Sequence, residues 1–240
     1  AGLARRLLHA GHRVTGSEKL PNRLTAWLAE QGVVIHAGHA ATHVPADARL
    51  VIRTPAVADG NPELVRAREL GIPIAFRGES LPVVCESRRL IGVSGTHGKT
   101  TTTAMIAGML RHAGLAPGWC IGGEPPGLDV VADPGGSDWL ACECDESDGT
   151  LVHYRAEIGL VTNIEFDHME HFSGEEEMFA CFQTFADRAR SLVVCADDAR
   201  ALPLATHHAR ALTYGFSPAA QVRGILVDED SGSIRARVEV

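Results

Sequence analysis

Two α/β units in series, each built on a parallel sheet, are what this 240-residue sequence predicts. Three observations carry the reading. Short apolar runs alternate with capped helical stretches from residue 12 to residue 76, the pattern of βαβ units. The pattern restarts after about Ser87, with apolar runs typical of strands buried on both faces. Between the first of those runs and a long helical stretch lies a glycine-rich loop.

The elements follow in order. Leu3, Leu7 and Leu8 recur at helical spacing, and Gly11 ends that helix. Residues 12–17 form a short strand. Pro21 opens and Gly32 closes a helix over 21–32. Strands are expected over 33–38 and 48–54, a capped helix over 61–71 and a strand over 72–76. A boundary near residues 83–88 divides the chain into units 1–86 and 87–240. In the second unit 88–95 is an apolar strand, and the helix after the glycine loop runs to about His112. The Pro/Gly-rich segment 122–136 reads as a mobile surface loop. Residues 139–144, 158–163 and 191–196 are further strands, with helical stretches around 174–190 and 197–208. After Tyr214, residues 221–240 alternate around an Asp/Ser/Gly turn as a small antiparallel β-hairpin.

Composition limits the function classes. Hydrophobic residues make up 45% of the chain, enough for one large core or two small ones. A net charge of −8 without a basic block gives no ground for a nucleic-acid partner. No apolar run is long enough for a bilayer, so no membrane partner is expected, and the start of the chain does not read as a secretory leader. The six cysteines lie in apolar segments without a C-x-x-C pair, which argues against a zinc cage and for a reducing, cytoplasmic compartment.

Three stretches carry chemistry. In IGVSGTHGKTTTTAM (91–105) the glycines let backbone N–H groups approach an anion, and the helix start adds partial positive charge. Lys99 can reach β- and γ-phosphate oxygens, and Thr100 can offer a hydroxyl to Mg²⁺. The glycine spacing departs from the common phosphate loop, since Val93 stands where its first glycine would be. CECDESDG (142–149) brings Glu143, Asp145, Glu146 and Asp148 together at a strand's end, as a seat for a hard cation or as a solvated acidic turn. TNIEFDHMEH (162–171) crowds Asn163, Glu165, Asp167, His168 and His171. Taken alone, its two histidines suggest zinc, while Mg²⁺ prefers oxygen ligands; a polar loop capping a helix is the plainer alternative.

Together these stretches resemble the Mur ligase family, whose phosphate loop looks like G-T-x-G-K-T, as in Gly95 to Thr100 here. The resemblance runs from Gly2 to about Phe216. It implies a Rossmann-like N-terminal domain (1–86) for the UDP-sugar and a P-loop-type central ATPase domain (87–240). It further implies that a turn before Ala1 and a third domain, for the amino acid, lie outside these residues, so the 240 residues alone are expected to turn over little. Carried over, Gly95, Thr96, His97, Gly98, Lys99, Thr100, Thr101 and Asn163 would bind ATP. Lys99 and His168 would be catalytic, with Thr100, Glu143 and His168 around Mg²⁺. Ser17 and His97 would face the sugar nucleotide. The implied reaction is ATP-dependent joining of L-alanine to the lactyl carboxylate of UDP-N-acetylmuramate, in peptidoglycan precursor synthesis. Two alternatives are a relative that attaches a murein tripeptide to the same sugar nucleotide, and a catalytically silent nucleotide-binding fragment. The tripeptide type tends to have Tyr where Ser147 stands.

Overall fold

Strand β5 (Arg89–Ser94) runs through the middle of the chain's largest sheet and aims its carboxyl end at the glycine loop. The computed structural model describes residues 1–123, 125, 127–166, 171–229 and 234–240.

The first unit is built from short parallel pairs. α1 (Gly2–His9) leads to β1 (Thr15–Glu18), which pairs with β2 (Val34–Ala37) across α2 (Arg23–Glu30). Asn22 starts α2, because its Oδ1 accepts from the Leu24 and Thr25 amides while Thr25 Oγ1 accepts from the Asn22 N–H. β3 (Val51–Arg53) pairs with β4 (Ile74–Phe76) across α3 (Pro62–Glu69), which begins with Asn61 as its cap and Pro62 in its first turn. α4 (Arg77–Cys85) then leads into β5.

Among the described residues the second unit forms one nine-stranded sheet. After β5 come α5 (Lys99–His112), β6 (Gly118–Cys120), β7 (Ala132–Asp133), β8 (Trp139–Glu143) and β9 (Ile158–Val161). Next are α6 (Glu175–Arg188), β10 (Ser191–Cys195), α7 (Pro203–Thr206), β11 (Ala211–Gly215), β12 (Val222–Glu229) and β13 (Ile234–Glu239). The spatial order is β13-β12-β11-β10-β9-β5-β8-β6-β7, antiparallel only at the two outer pairs. β5 has β8 on one side and β9 on the other, so the order reverses there. That reversal opens a crevice at the strands' carboxyl ends, where ligands bind in such sheets.

The core sits between this sheet and α6. Met178, Cys181, Phe182 and Phe185 recur at helical spacing and are all buried. Gly92 of β5 and Gly159 of β9 leave room for the Phe185 ring; a Cβ at either would meet it at 3.3 Å.

The structure corrects several expectations. The described part of 122–136 is not a free surface loop, because Leu128, Val131 and Ala132 are buried and β7 lies within it. The helix expected over 197–208 is limited to Pro203–Thr206. Asp198 Oδ1 accepts from the Arg200 and Ala201 amides, and Asp197 accepts from those of Phe216 and Ser217, which holds the chain in turns instead. The strand expected at 12–17 begins only at Thr15. α4, β6, β7 and β11 were not anticipated. The hairpin is present, and its turn, 230–233, lies outside the described residues. No helix among the described residues is long and apolar enough to cross a membrane.

Candidate nucleotide site

The loop between β5 and α5 depends on two glycines with left-handed backbone. Gly95 has φ 131° and Gly98 has φ 82°. At Gly95 space is also closed: a Cβ there would sit 2.0 Å from Thr162 Oγ1. The reason is that the loop is strapped to the segment after β9. The Thr96 amide donates to the Asn163 carbonyl at 3.1 Å. Thr96 Oγ1 accepts from the Glu165 amide and donates to the Glu165 carbonyl. Asn163 grips the His97 backbone with both ends of its amide, Oδ1 accepting from the N–H at 2.8 Å and Nδ2 donating to the carbonyl at 3.0 Å. Thr162 Oγ1 donates to the same carbonyl at 2.7 Å. Asn163, expected as an ATP contact, thus shapes the loop through its side chain.

Lys99 is the first residue of α5. Its Nζ donates to the Gly95 carbonyl at 2.7 Å, the Thr96 carbonyl at 3.2 Å and Glu146 Oε1 at 2.9 Å. The Lys99 side chain is 12% exposed and that of Glu146 is 1% exposed. Burial pushes the Glu146 carboxyl above its ordinary range, and the Lys99 ammonium opposes part of the rise. One residue on, Thr100 Oγ1 donates to Glu143 Oε2 at 2.9 Å, and the Gly122 amide donates to the same oxygen at 2.9 Å. Thr101 is exposed on the first turn, while Thr103 is buried and returns its hydroxyl to the Lys99 carbonyl at 2.8 Å.

Thr100, Gly122, Glu143 and Asp145 form one wall of a cleft of about 460 Å³. Leu24, Arg77 and Leu81 of the first unit form part of the other. Two hard oxygens, a hydroxyl and a carboxylate, stand side by side there at the distance of a hydrogen bond, and such a pair fits a hard divalent cation. No set of three or more His, Cys, Asp or Glu among the described residues is arranged to hold a metal. His168 and Asp167 lie outside the described residues. The His97 side chain is 63% exposed and turns outward, with Nε2 3.4 Å from Glu165 Oε2.

The structure brings the 95–101 loop, Glu143 and Asn163 together at the carboxyl ends of β5, β8 and β9. It does not bring Ser17 to this cleft wall. Ser17 donates to Glu63 Oε2 at 2.6 Å and lies 3.0 Å from His39 Nδ1, in a polar cluster of the first unit. Two features escaped the sequence reading. Glu146 was grouped with Glu143, Asp145 and Asp148 as a cation seat or solvated acidic turn, and is instead the buried carboxylate that pairs with Lys99. Arg77 opens α4 and faces Asp145, 4.0 Å away, from across the cleft. A signal for its helix exists: Glu79 accepts from the Phe76 amide at 3.0 Å, the acidic third position of a helix start.

The Mur ligase middle domain matches residues 93–238, and the domain described as Mur ligase family, catalytic domain, matches residues 1–88. The UDP-N-acetylmuramate--L-alanine ligase of Clavibacter michiganensis is 41% identical over 226 residues, covering 93% of this chain and 47% of that protein. The protein of the same name from Thermosynechococcus vestitus is 42% identical, covering 92% of this chain and 47% of its own length. The chain thus spans about half the length of the curated relatives it matches. Among solved structures, UDP-N-acetylmuramate-alanine ligase MurC from Thermotoga maritima superposes with a TM-score of 0.86 at 28% identity, covering 99% of this chain and 56% of that one. The UDP-N-acetylmuramate:L-alanyl-gamma-D-glutamyl-meso-diaminopimelate ligase from Neisseria meningitides superposes at 0.84 with 25% identity, covering 99% of this chain and 80% of that one.

Proposed function

The chain belongs to the Mur ligase family, and on that premise we propose that it supplies the ATP site, and part of the sugar-nucleotide site, for joining L-alanine to the lactyl carboxylate of UDP-N-acetylmuramate. The observation that carries the reading is the pairing of Lys99 on a glycine loop with Thr100 and Glu143 on the wall of one cleft. We assign residues 1–86 to the sugar-nucleotide domain and 87–240 to the ATP domain, with Ser17 of the first and His97 of the second as contacts to the sugar nucleotide.

Loop amides from Gly95 to Thr101 would receive the phosphates, and Lys99 would steady the γ-phosphoryl group as it transfers. Thr100 and Glu143, with His168 as a further ligand, would hold Mg²⁺, which neutralises phosphate charge when bound. A lactyl carboxylate oxygen attacks the γ-phosphorus in line, the bond to the β-bridging oxygen breaks and ADP departs. The acyl phosphate left behind is attacked at its acyl carbon by the uncharged amine of L-alanine. Inorganic phosphate leaves and the nitrogen sheds a proton. The protein's part is positioning and charge neutralisation, with no covalent enzyme intermediate.

A second acceptor of the same chemistry, a murein tripeptide, is favoured by the likeness to the Neisseria meningitides structure. The 41% and 42% identities with L-alanine ligases support the first reading over it. Phosphate release from ATP in the presence of UDP-N-acetylmuramate, measured on the chain extended at both ends to the length of its relatives, tests both. Release that requires L-alanine and disappears in Lys99→Ala supports the proposal. Release that requires the tripeptide moves the assignment, and release with neither removes it.

A further inference from the structure

An ammonium has three N–H bonds, and Lys99 uses all of them. Its acceptors are the Gly95 carbonyl at 2.7 Å, Glu146 Oε1 at 2.9 Å and the Thr96 carbonyl at 3.2 Å. A phosphate oxygen can therefore be met only if one of the three yields. The longest contact, and a neutral one, is that to Thr96. Glu146 is a different case. Its side chain is 1% exposed, so it cannot turn to bulk water when the lysine moves. Releasing it would draw the ammonium away from a buried carboxylate, a costlier exchange than giving up a neutral carbonyl.

The carboxylate is also held on a locked turn. The Gly149 amide donates to the Glu146 carbonyl at 2.9 Å, and Gly149 has φ 71°. The Ser147 amide donates to Asp145 Oδ1, and the Thr150 amide and hydroxyl both donate to Asp148 Oδ1. From the first unit, Gly78 of α4 presses on this turn so closely that a Cβ there would lie 2.4 Å from Thr150 Oγ1 and 2.6 Å from Asp148 Oδ2. The turn that carries Glu146 is thus held by its surroundings.

We propose that Glu146 is the positioning residue of Lys99. It keeps the ammonium when a nucleoside triphosphate binds, so Lys99 gives up the Thr96 carbonyl and turns that one N–H to the γ-phosphate. The inference rests on the reading of this loop as an ATP site. Its converse, in which Glu146 is an internal competitor that ATP displaces, makes the opposite prediction for triphosphate affinity.

The test is equilibrium binding of ADP and of the non-hydrolysable analogue adenylyl imidodiphosphate, both with Mg²⁺, to wild type, Glu146→Gln and Glu146→Asp, with thermal midpoints for each. ADP lacks the phosphate that the positioned N–H would meet. Wild type should bind both nucleotides. Each variant should lose roughly tenfold more affinity for the triphosphate analogue than for ADP, as expected for one charge-assisted hydrogen bond. In the Lys99→Met background, Glu146→Gln should cause no further selective loss. A variant whose two affinities fall equally, or whose triphosphate binding tightens, overturns the inference while leaving the ATP site in place. If Glu146→Gln does not fold, Glu146→Asp keeps the charge but shortens the reach, and an unchanged ratio in it overturns the inference. Wild type that binds neither nucleotide overturns the site reading and this inference with it.

Discussion

The hydroxyl of Thr100 and the carboxylate of Glu143, brought from α5 and β8, meet at 2.9 Å on the cleft wall. Removing either oxygen should weaken cation-dependent nucleotide binding. Thr100→Val and Glu143→Gln should raise the Mg²⁺ concentration needed for half-maximal nucleotide binding by about tenfold or more. A Mg²⁺ titration of nucleotide binding checks this, and an unchanged midpoint in both variants would sink the assignment of these ligands.

Gly95 and Gly98 both have positive φ but should differ in tolerance. At Gly98 the nearest atom to an added Cβ is 3.9 Å away, so Gly98→Ala should cost only the backbone strain, about 1–3 kcal/mol. At Gly95 the same methyl meets Thr162 Oγ1 at 2.0 Å, so Gly95→Ala should destabilise more and abolish nucleotide binding. Chemical denaturation of the two variants gives the comparison directly; equal losses would contradict it.

Asn163→Ala should reduce ATP affinity more than His97→Ala does. Asn163 holds the loop backbone through two hydrogen bonds, whereas the His97 side chain turns outward. The expected difference is about tenfold, near the value of one or two hydrogen bonds. His97→Ala should instead weaken equilibrium binding of the sugar nucleotide. A His97→Ala variant that loses ATP affinity as severely as Asn163→Ala would refute the division of roles.

Glu146 gives a pH signature. Its folded-state pKa lies above the ordinary glutamate value of 4.5, through burial. The native state therefore binds its proton more tightly than the unfolded state does. Stability from this group is greatest below 4.5 and falls as pH rises through the window up to the raised folded value. Denaturation midpoints of Glu146→Gln should lack that decline, so the wild-type minus variant difference should change sign or shrink across the window. A difference that stays constant with pH would count against it.

Much of this fold was legible because parallel strands buried on both faces are written as apolar runs. Trp139–Glu143, Ile158–Val161 and Ser191–Cys195 all fell inside the stretches expected. β6 and β7 were not, since elements of three and two residues inside a Pro/Gly-rich region carry no periodicity. α4 contains Gly78 and Pro82, which local propensity reads as breakers; packing against the turn at Asp148 and Thr150 overrides that. In the site, the loop and Glu143 were visible as motifs. The Lys99–Glu146 pair was not, because it joins residues 47 positions apart and is created by the sheet order.

The hydrogen bonds that strap Thr96 and His97 to Thr162, Asn163 and Glu165 also shift where order is acquired. A loop held this way loses its conformational freedom when the chain folds. Little entropy is then left to lose when a nucleotide arrives, and more of the contact energy is expressed as affinity. Loosening any one strap would return that ordering step to the binding event, which would weaken the complex without removing a single contact to the ligand.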